Sequence, residues 1–152
     1  MWLAAAAAGA QSPHTHQHHF RDAERWAQVF DDPARDAWQK PQEVIRALAL
    51  APDAAVADIG AGTGYFAARL ARAVPRGRVL AVDIEADMVR YLAERAKREG
   101  LHNLVAVQGA PDDARLPGKV DLVLLVDTYH HIEAREGYFR RLRGSLAPGG
   151  RV

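Results

Sequence analysis

From residue 53 onward the chain alternates short apolar runs with stretches of helical periodicity. Residues 54–59, 79–82, 104–107 and 120–126 are brief and rich in valine, isoleucine and leucine, as strands covered on both faces are. They predict four parallel strands. Phe66, Leu70 and Val74 recur at helical spacing after the first, and Met88 or Val89, Leu92 and Ala96 do so after the second, with Gly100 as a stop. Strand, helix, strand, helix predicts an α/β, doubly wound, Rossmann-like sheet, mostly parallel, with helices on both faces. After the fourth strand, residues 134–146 place Tyr138, Phe139, Leu142 and Leu146 on one helical face, and Pro148-Gly149-Gly150 reads as the end of that helix. Arg151-Val152 then reads as the first step of a fifth strand. On this reading the sheet is incomplete after strand four or early in strand five, the chain is a fragment of a longer domain, and strand four is left with an unpaired edge. Upstream, residues 22–30 and 41–50 read as two helices, Pro41 suiting a first turn. They are expected to pack across the sheet as an N-terminal cover over residues 21–52 of a single 21–152 domain.

The first twenty residues differ from the rest. Trp2 to Ala8 is apolar and ends in Ala8-Gly9-Ala10, the small-x-small pattern of a secretory cleavage site, but the positive residues that should precede it are missing. The run is too short to span a bilayer. His14, His16, His18 and His19 follow, and a histidine-rich linker with no acid or cysteine beside it reads as a linker, so no metal site is expected. Composition narrows the field of partners: Lys plus Arg number 20 against 19 Asp plus Glu, so no polyanion is held by bulk charge and no nucleic-acid partner is expected. With 0 cysteines there is no thiolate nucleophile, disulfide or cysteine metal site.

The chemistry concentrates in "VADIGAGTGYF", residues 56–66. A loop leaving the carboxyl end of the first parallel strand is the usual ligand position in open α/β sheets, and glycine lets a ligand lie against bare backbone. The dinucleotide fingerprint separates its second and third glycines by three residues, whereas Gly60, Gly62 and Gly64 are evenly spaced and Asp58 precedes them. A carboxylate there repels phosphate and favours a cationic or hydroxyl-bearing ligand. The second strand ends "AVDIE", where Asp83 can accept from two vicinal ribose hydroxyls with Ile84 as an apolar wall for a base. Ribose and base without phosphate describe a nucleoside.

"VADIGAGTGYFAARLA" followed by "VLAVDIEADMV" resembles the first two motifs of class I S-adenosylmethionine-dependent methyltransferases; "VDLVLLVDTYHHI" is similar to their fourth strand and "LRGSLAPGGRV" to the approach to their fifth. The resemblance runs over residues 53–152. It implies S-adenosyl-L-methionine as cofactor, with Asp58, Gly60, Ala61, Gly62 and Gly64 at its methionine part, Asp83 on the ribose and Ile84 on the adenine. In "GAPDDARLP" it implies Asp112, with Asp113 as the alternative, at the adenine amino group. Asp127, ending strand four, falls where the methionine end meets the acceptor.

Methyl transfer is an in-line displacement that needs alignment and, for some acceptors, proton removal. His130 and His131, after strand four, are the candidates for a general base; the alternative is that one caps or packs under the loop while the other faces solvent. Phe30, Trp38 and Gln39 of the cover either close over the site or simply pack. No Asn/Asp-Pro-Pro-aromatic segment follows strand four, which argues against enzymes that methylate adenine amino groups in nucleic acid. A small-molecule acceptor is expected. The rival readings are a non-catalytic S-adenosylmethionine-binding module and an NAD-dependent oxidoreductase. Cofactor supply points to the cytoplasm, and the signal-like segment, with cleavage near Ala10, to export.

Overall fold

The computed structural model describes residues 22–152, so the signal-like run and the four N-terminal histidines lie outside the described residues. Helix α1 (Ala23–Phe30) is capped by the Asp22 side chain, which accepts from the Arg25 N–H at 3.3 Å. A single 3-10 turn at Pro33–Arg35 leads into the short α2 (Asp36–Gln39), and Lys40, left-handed at φ 46°, separates α2 from α3 (Pro41–Ala47). Then follow β1 (Ala55–Ile59), α4 (Tyr65–Ala73), β2 (Arg78–Asp83), α5 (Ala86–Arg98), β3 (Leu104–Gln108), β4 (Val120–Leu125), a 3-10 turn at Tyr129–His131, α6 (Arg135–Gly144) and β5 (Leu146–Arg151). The sheet is parallel throughout in the order β3-β2-β1-β4-β5. The predicted doubly wound α/β architecture is therefore the one the chain adopts.

Alternation along β1 divides the core. Ala54 and Val56 face the α4 side with Leu70, Val74, Val79, Leu92 and Leu122, while Ala57 and Ile59 face the α6 side with Leu80, Val123, Tyr138 and Leu142. Helix α5 keeps Asp87 in its first turn and Arg95, Lys97 and Arg98 in its last, which suits the helix dipole. The N-terminal helices differ from expectation in their seat. Val44 and Ile45 of α3, with Leu48 just after it, join the α4 face, and α1 lies against α5, so they extend the helical layer because α4 and α5 already occupy that face of the sheet.

The C-terminal segment overturns two expectations. Helix α6 stops at Gly144, and Leu146, predicted to be helical, opens β5. Val120 pairs with Leu146 and Leu122 with Arg151 across a register shift, so strand four is not an edge. Pro148-Gly149-Gly150 is thus an irregularity inside the fifth strand. The loop closes because β4 supplies partners: the Val120 N–H donates to Ser145 O at 2.9 Å, and Gly149, at φ 77°, takes the turn that an L side chain resists. Helical periodicity alone cannot register such a neighbour. Among the described residues no helix is long and apolar enough to cross a membrane.

Candidate cofactor and acceptor site

The carboxyl ends of β1, β2 and β4 meet at one rim because the strands are parallel and in register, Ile59 opposite both Val82 and Leu125. The glycine loop leaves β1 there. Its first turn is pinned to β2: the Gly60 and Ala61 N–H groups both donate to Val82 O, at 2.8 and 2.9 Å. Gly60 sits at φ 72°, and a Cβ on it would collide with the Thr128 side chain, so only a bare backbone fits between β1 and the β4 loop. The Gly62 N–H then donates to Asp83 Oδ2 at 2.9 Å. This bond joins the loop to the end of β2.

Asp83 is 9% exposed, and its Oδ1 accepts from the Glu85 N–H at 3.0 Å. Burial pushes its carboxyl above the ordinary range, opposed by the N–H donors of Glu85 and Gly62. Each oxygen keeps acceptor capacity for a further donor. The next side chain, Ile84, is 54% exposed, and Gln108 at the end of β3 donates to Ile84 O at 2.5 Å, which holds that apolar surface in place. A fixed acceptor beside a flat apolar face suits ribose hydroxyls and a base.

Asp58 lies beneath the loop at 3% exposure. Its carboxyl is pushed up to about 7, first by burial and second by the charge of Asp83. Asp58 Oδ2 and Thr63 Oγ1 are buried with no hydrogen-bond partner among the described residues. Such orphaned oxygens are costly unless a hydrogen-bond donor reaches them. S-adenosylmethionine offers an ammonium, a sulfonium, ribose hydroxyls and adenine, so the residues present fit it.

The N-terminal segment closes this rim from above. The Phe30 ring packs over Gly62, within 3.5 Å of where its Cβ would be. Arg95 of α5 pairs with Asp31 at 2.9 Å and donates to Thr63 O at 2.9 Å. Gln39 Nε2 donates to Asp127 Oδ2 at 2.8 Å. Asp127, left-handed at φ 54°, stands just beyond β4.

Residues 57–152 match a family model described as a methyltransferase domain, more than half of the chain. The chain belongs to the class I S-adenosylmethionine-dependent methyltransferases. Among its relatives, the trans-aconitate 2-methyltransferase of Rhodopseudomonas palustris is 30% identical over 129 residues, 85% of this chain and 47% of that protein. The tRNA (guanine-N(7)-)-methyltransferase of Thermus thermophilus is 37% identical over 107 residues, 62% of this chain and 34% of that protein. A solved S-adenosylmethionine-dependent methyltransferase from Aquifex aeolicus superposes with a TM-score of 0.75 at 25% identity, covering 84% of this chain and 68% of that one. The chain spans about a quarter to a half of the length of the curated relatives it matches.

In this member of the family the structure brings Asp58, Gly60, Ala61, Gly62, Gly64, Asp83, Ile84 and Asp127 to the one rim, but it commits Asp112 elsewhere. The Asp112 carboxylate pairs with Arg141 of α6 at 3.2 Å, and Asp113 Oδ1 accepts from the Arg115 N–H at 2.8 Å. The loop folds into a small hairpin, with Ala110 and Asp113 bridged, which turns both acids toward their own neighbours. His130 and His131 form one turn with rings 4.0 Å apart, and both are exposed, so neither packs beneath the loop. Sequence reading missed Thr63, Gln108, Thr128 and Arg35. A polar residue ending an apolar strand could have marked Gln108; nothing in the local sequence distinguishes Arg35 from the other arginines.

Proposed function

We propose that the protein binds S-adenosylmethionine across the carboxyl ends of β1, β2 and β4 and transfers its methyl group to a small-molecule acceptor. The observation that carries this reading is the buried Asp83 carboxylate, locked by the Gly62 and Glu85 N–H groups beside exposed Ile84. When bound, the cofactor supplies a methyl carbon on a sulfonium, whose C–S bond breaks as the acceptor atom bonds to carbon, the electron pair staying on sulfur. The chain's own part is placement. Asp83 holds the ribose, Ile84 flanks the adenine, the backbone of Gly60 to Gly64 lies along the methionine, Asp58 answers its cationic end and Asp127 borders the acceptor. Asp112 is the weakest member of this set because Arg141 already engages it, and His130 or His131 serves as base only for an acceptor that must lose a proton.

The acceptor class rests on charge. Phosphate recognition needs surplus cations, and 20 basic against 19 acidic residues provide none. The Rhodopseudomonas relative is named for a small organic acid and the Thermus relative for tRNA; the balance of charge favours the former kind. Calorimetry with S-adenosylhomocysteine tests the cofactor site. Asp83→Ala should lose about 1.5–3 kcal/mol, ten- to a hundredfold in affinity, and an unchanged affinity would remove the ribose assignment.

A further inference from the structure

Arg35 closes the turn between α1 and α2, and its side chain as a whole is 18% exposed. It lies over the Tyr65 ring at 4.3 Å, with the Trp38 and Phe30 rings at 5.8 and 6.0 Å. Nη1 donates to Phe30 O at 2.7 Å, which fixes the plane of the group. Nη2 has no hydrogen-bond partner among the described residues; the nearest carboxylate oxygen is Asp127 Oδ2, at 3.9 Å. Gln39 Nε2 donates to that same oxygen at 2.8 Å.

Two donors from the N-terminal segment therefore converge on one carboxylate oxygen at the acceptor side of the rim. The arrangement is poor as a structural tie. The Asp127 side chain is 65% exposed, the arginine contact is long, and such pairs stabilise little. A guanidinium held flat by ring stacking and by Phe30 O, with one edge open toward an exposed region of the rim, is instead matched to a carboxylate that can approach it squarely. Exposed aromatic surface stands close in the chain on both sides, Trp38 beside Gln39 and Tyr129 two residues after Asp127.

We propose that Arg35 and Gln39 are the carboxylate-recognition pair for the methyl acceptor, and that Asp127 holds that position as an internal substitute until the acceptor displaces it. The inference rests on the methyltransferase reading above and narrows its acceptor to organic acids. Arg35 and Gln39 set specificity.

The test is calorimetry on the full chain saturated with S-adenosylhomocysteine, titrating trans-aconitate, citrate, benzoate and cinnamate, with trimethyl trans-aconitate as the uncharged control. At least one acid binds and the ester does not. Arg35→Gln weakens that acid tenfold or more, and Arg35→Lys falls between, because a point charge replaces a planar fork. Asp127→Asn tightens it severalfold by removing the internal competitor, a gain that a merely structural role for Arg35 does not produce and that holds the proposal to account if Arg35→Gln loosens the segment. Binding of S-adenosylhomocysteine with no acid bound, equal affinity in Arg35→Gln, or weaker acid binding in Asp127→Asn would each overturn the proposal alone. A chain that fails to bind S-adenosylhomocysteine takes down the methyltransferase reading and this proposal with it.

Discussion

At Asp58, burial and the charge of Asp83 act in the same direction, and the carboxyl titrates near 7 instead of at its ordinary 3.8. Between those two values the folded chain holds a proton that the unfolded chain has released. The resulting stabilisation is full below about pH 4 and is lost as pH rises through 7, on the order of a few kcal/mol. Asp83, raised by burial as well, adds to the same slope. Urea unfolding of the ligand-free chain should therefore show lower stability at pH 8 than at pH 5, and Asp58→Asn should flatten most of that difference. Equal losses in the two proteins would mean that Asp58 is already ionised in the fold. The acid at position 58 was visible in the sequence; that one of its oxygens is orphaned, and that it stands close to Asp83, was not.

Elements here are bounded by their neighbours as much as by their own residues. The four strand cores fall where apolar runs placed them, because short runs of β-branched and leucine residues between turns mark a strand even where single polar positions interrupt them, such as Asp58 in β1 and Asp121 in β4. Helix α6 and β5 were misjudged together, since Leu146 continues a helical face yet pairs with Val120. The two glycines inside β5 are constrained differently, and substitution separates them. Gly149→Ala keeps open space around its Cβ but must hold φ 77°, a cost of about 1 kcal/mol. A Cβ on Gly150 would stand 2.9 Å from both Ala147 O and Val120 O, and neither backbone oxygen can swing away, so Gly150→Ala should cost roughly 2 kcal/mol or more. Denaturant melts of the two variants rank them, and the reverse order would show that β5 does not lie against β4 as described.

For the molecule as a whole, the site is a seam where β1, β2, β4 and the N-terminal segment come together, so a ligand seated there ties separate parts of the chain into one unit. S-adenosylhomocysteine at a hundredfold over its Kd contributes about 2.7 kcal/mol, which for a domain of this size raises the melting temperature by roughly 5–10 °C. NAD should give no shift. A shift with NAD and none with S-adenosylhomocysteine would reverse the assignment between methyltransferase and oxidoreductase.

The sequence by itself determined the alternating α/β order, the evenly spaced glycine loop and the acids at 58, 83 and 127, because each is a local pattern: apolar periodicity, a turn that demands glycine, a polar residue ending an apolar run. Only the tertiary structure decided which of those acids lie at the candidate site. Asp83 is fixed by a loop 21 residues away and Asp127 by a glutamine 88 residues away, while Asp112, no less plausible in the sequence, is drawn off by Arg141. The role proposed for Arg35 depends on the fold in the same way. A cation means little until the fold strips it of water and aims it, and that depends on rings and a carboxylate that only folding brings within reach.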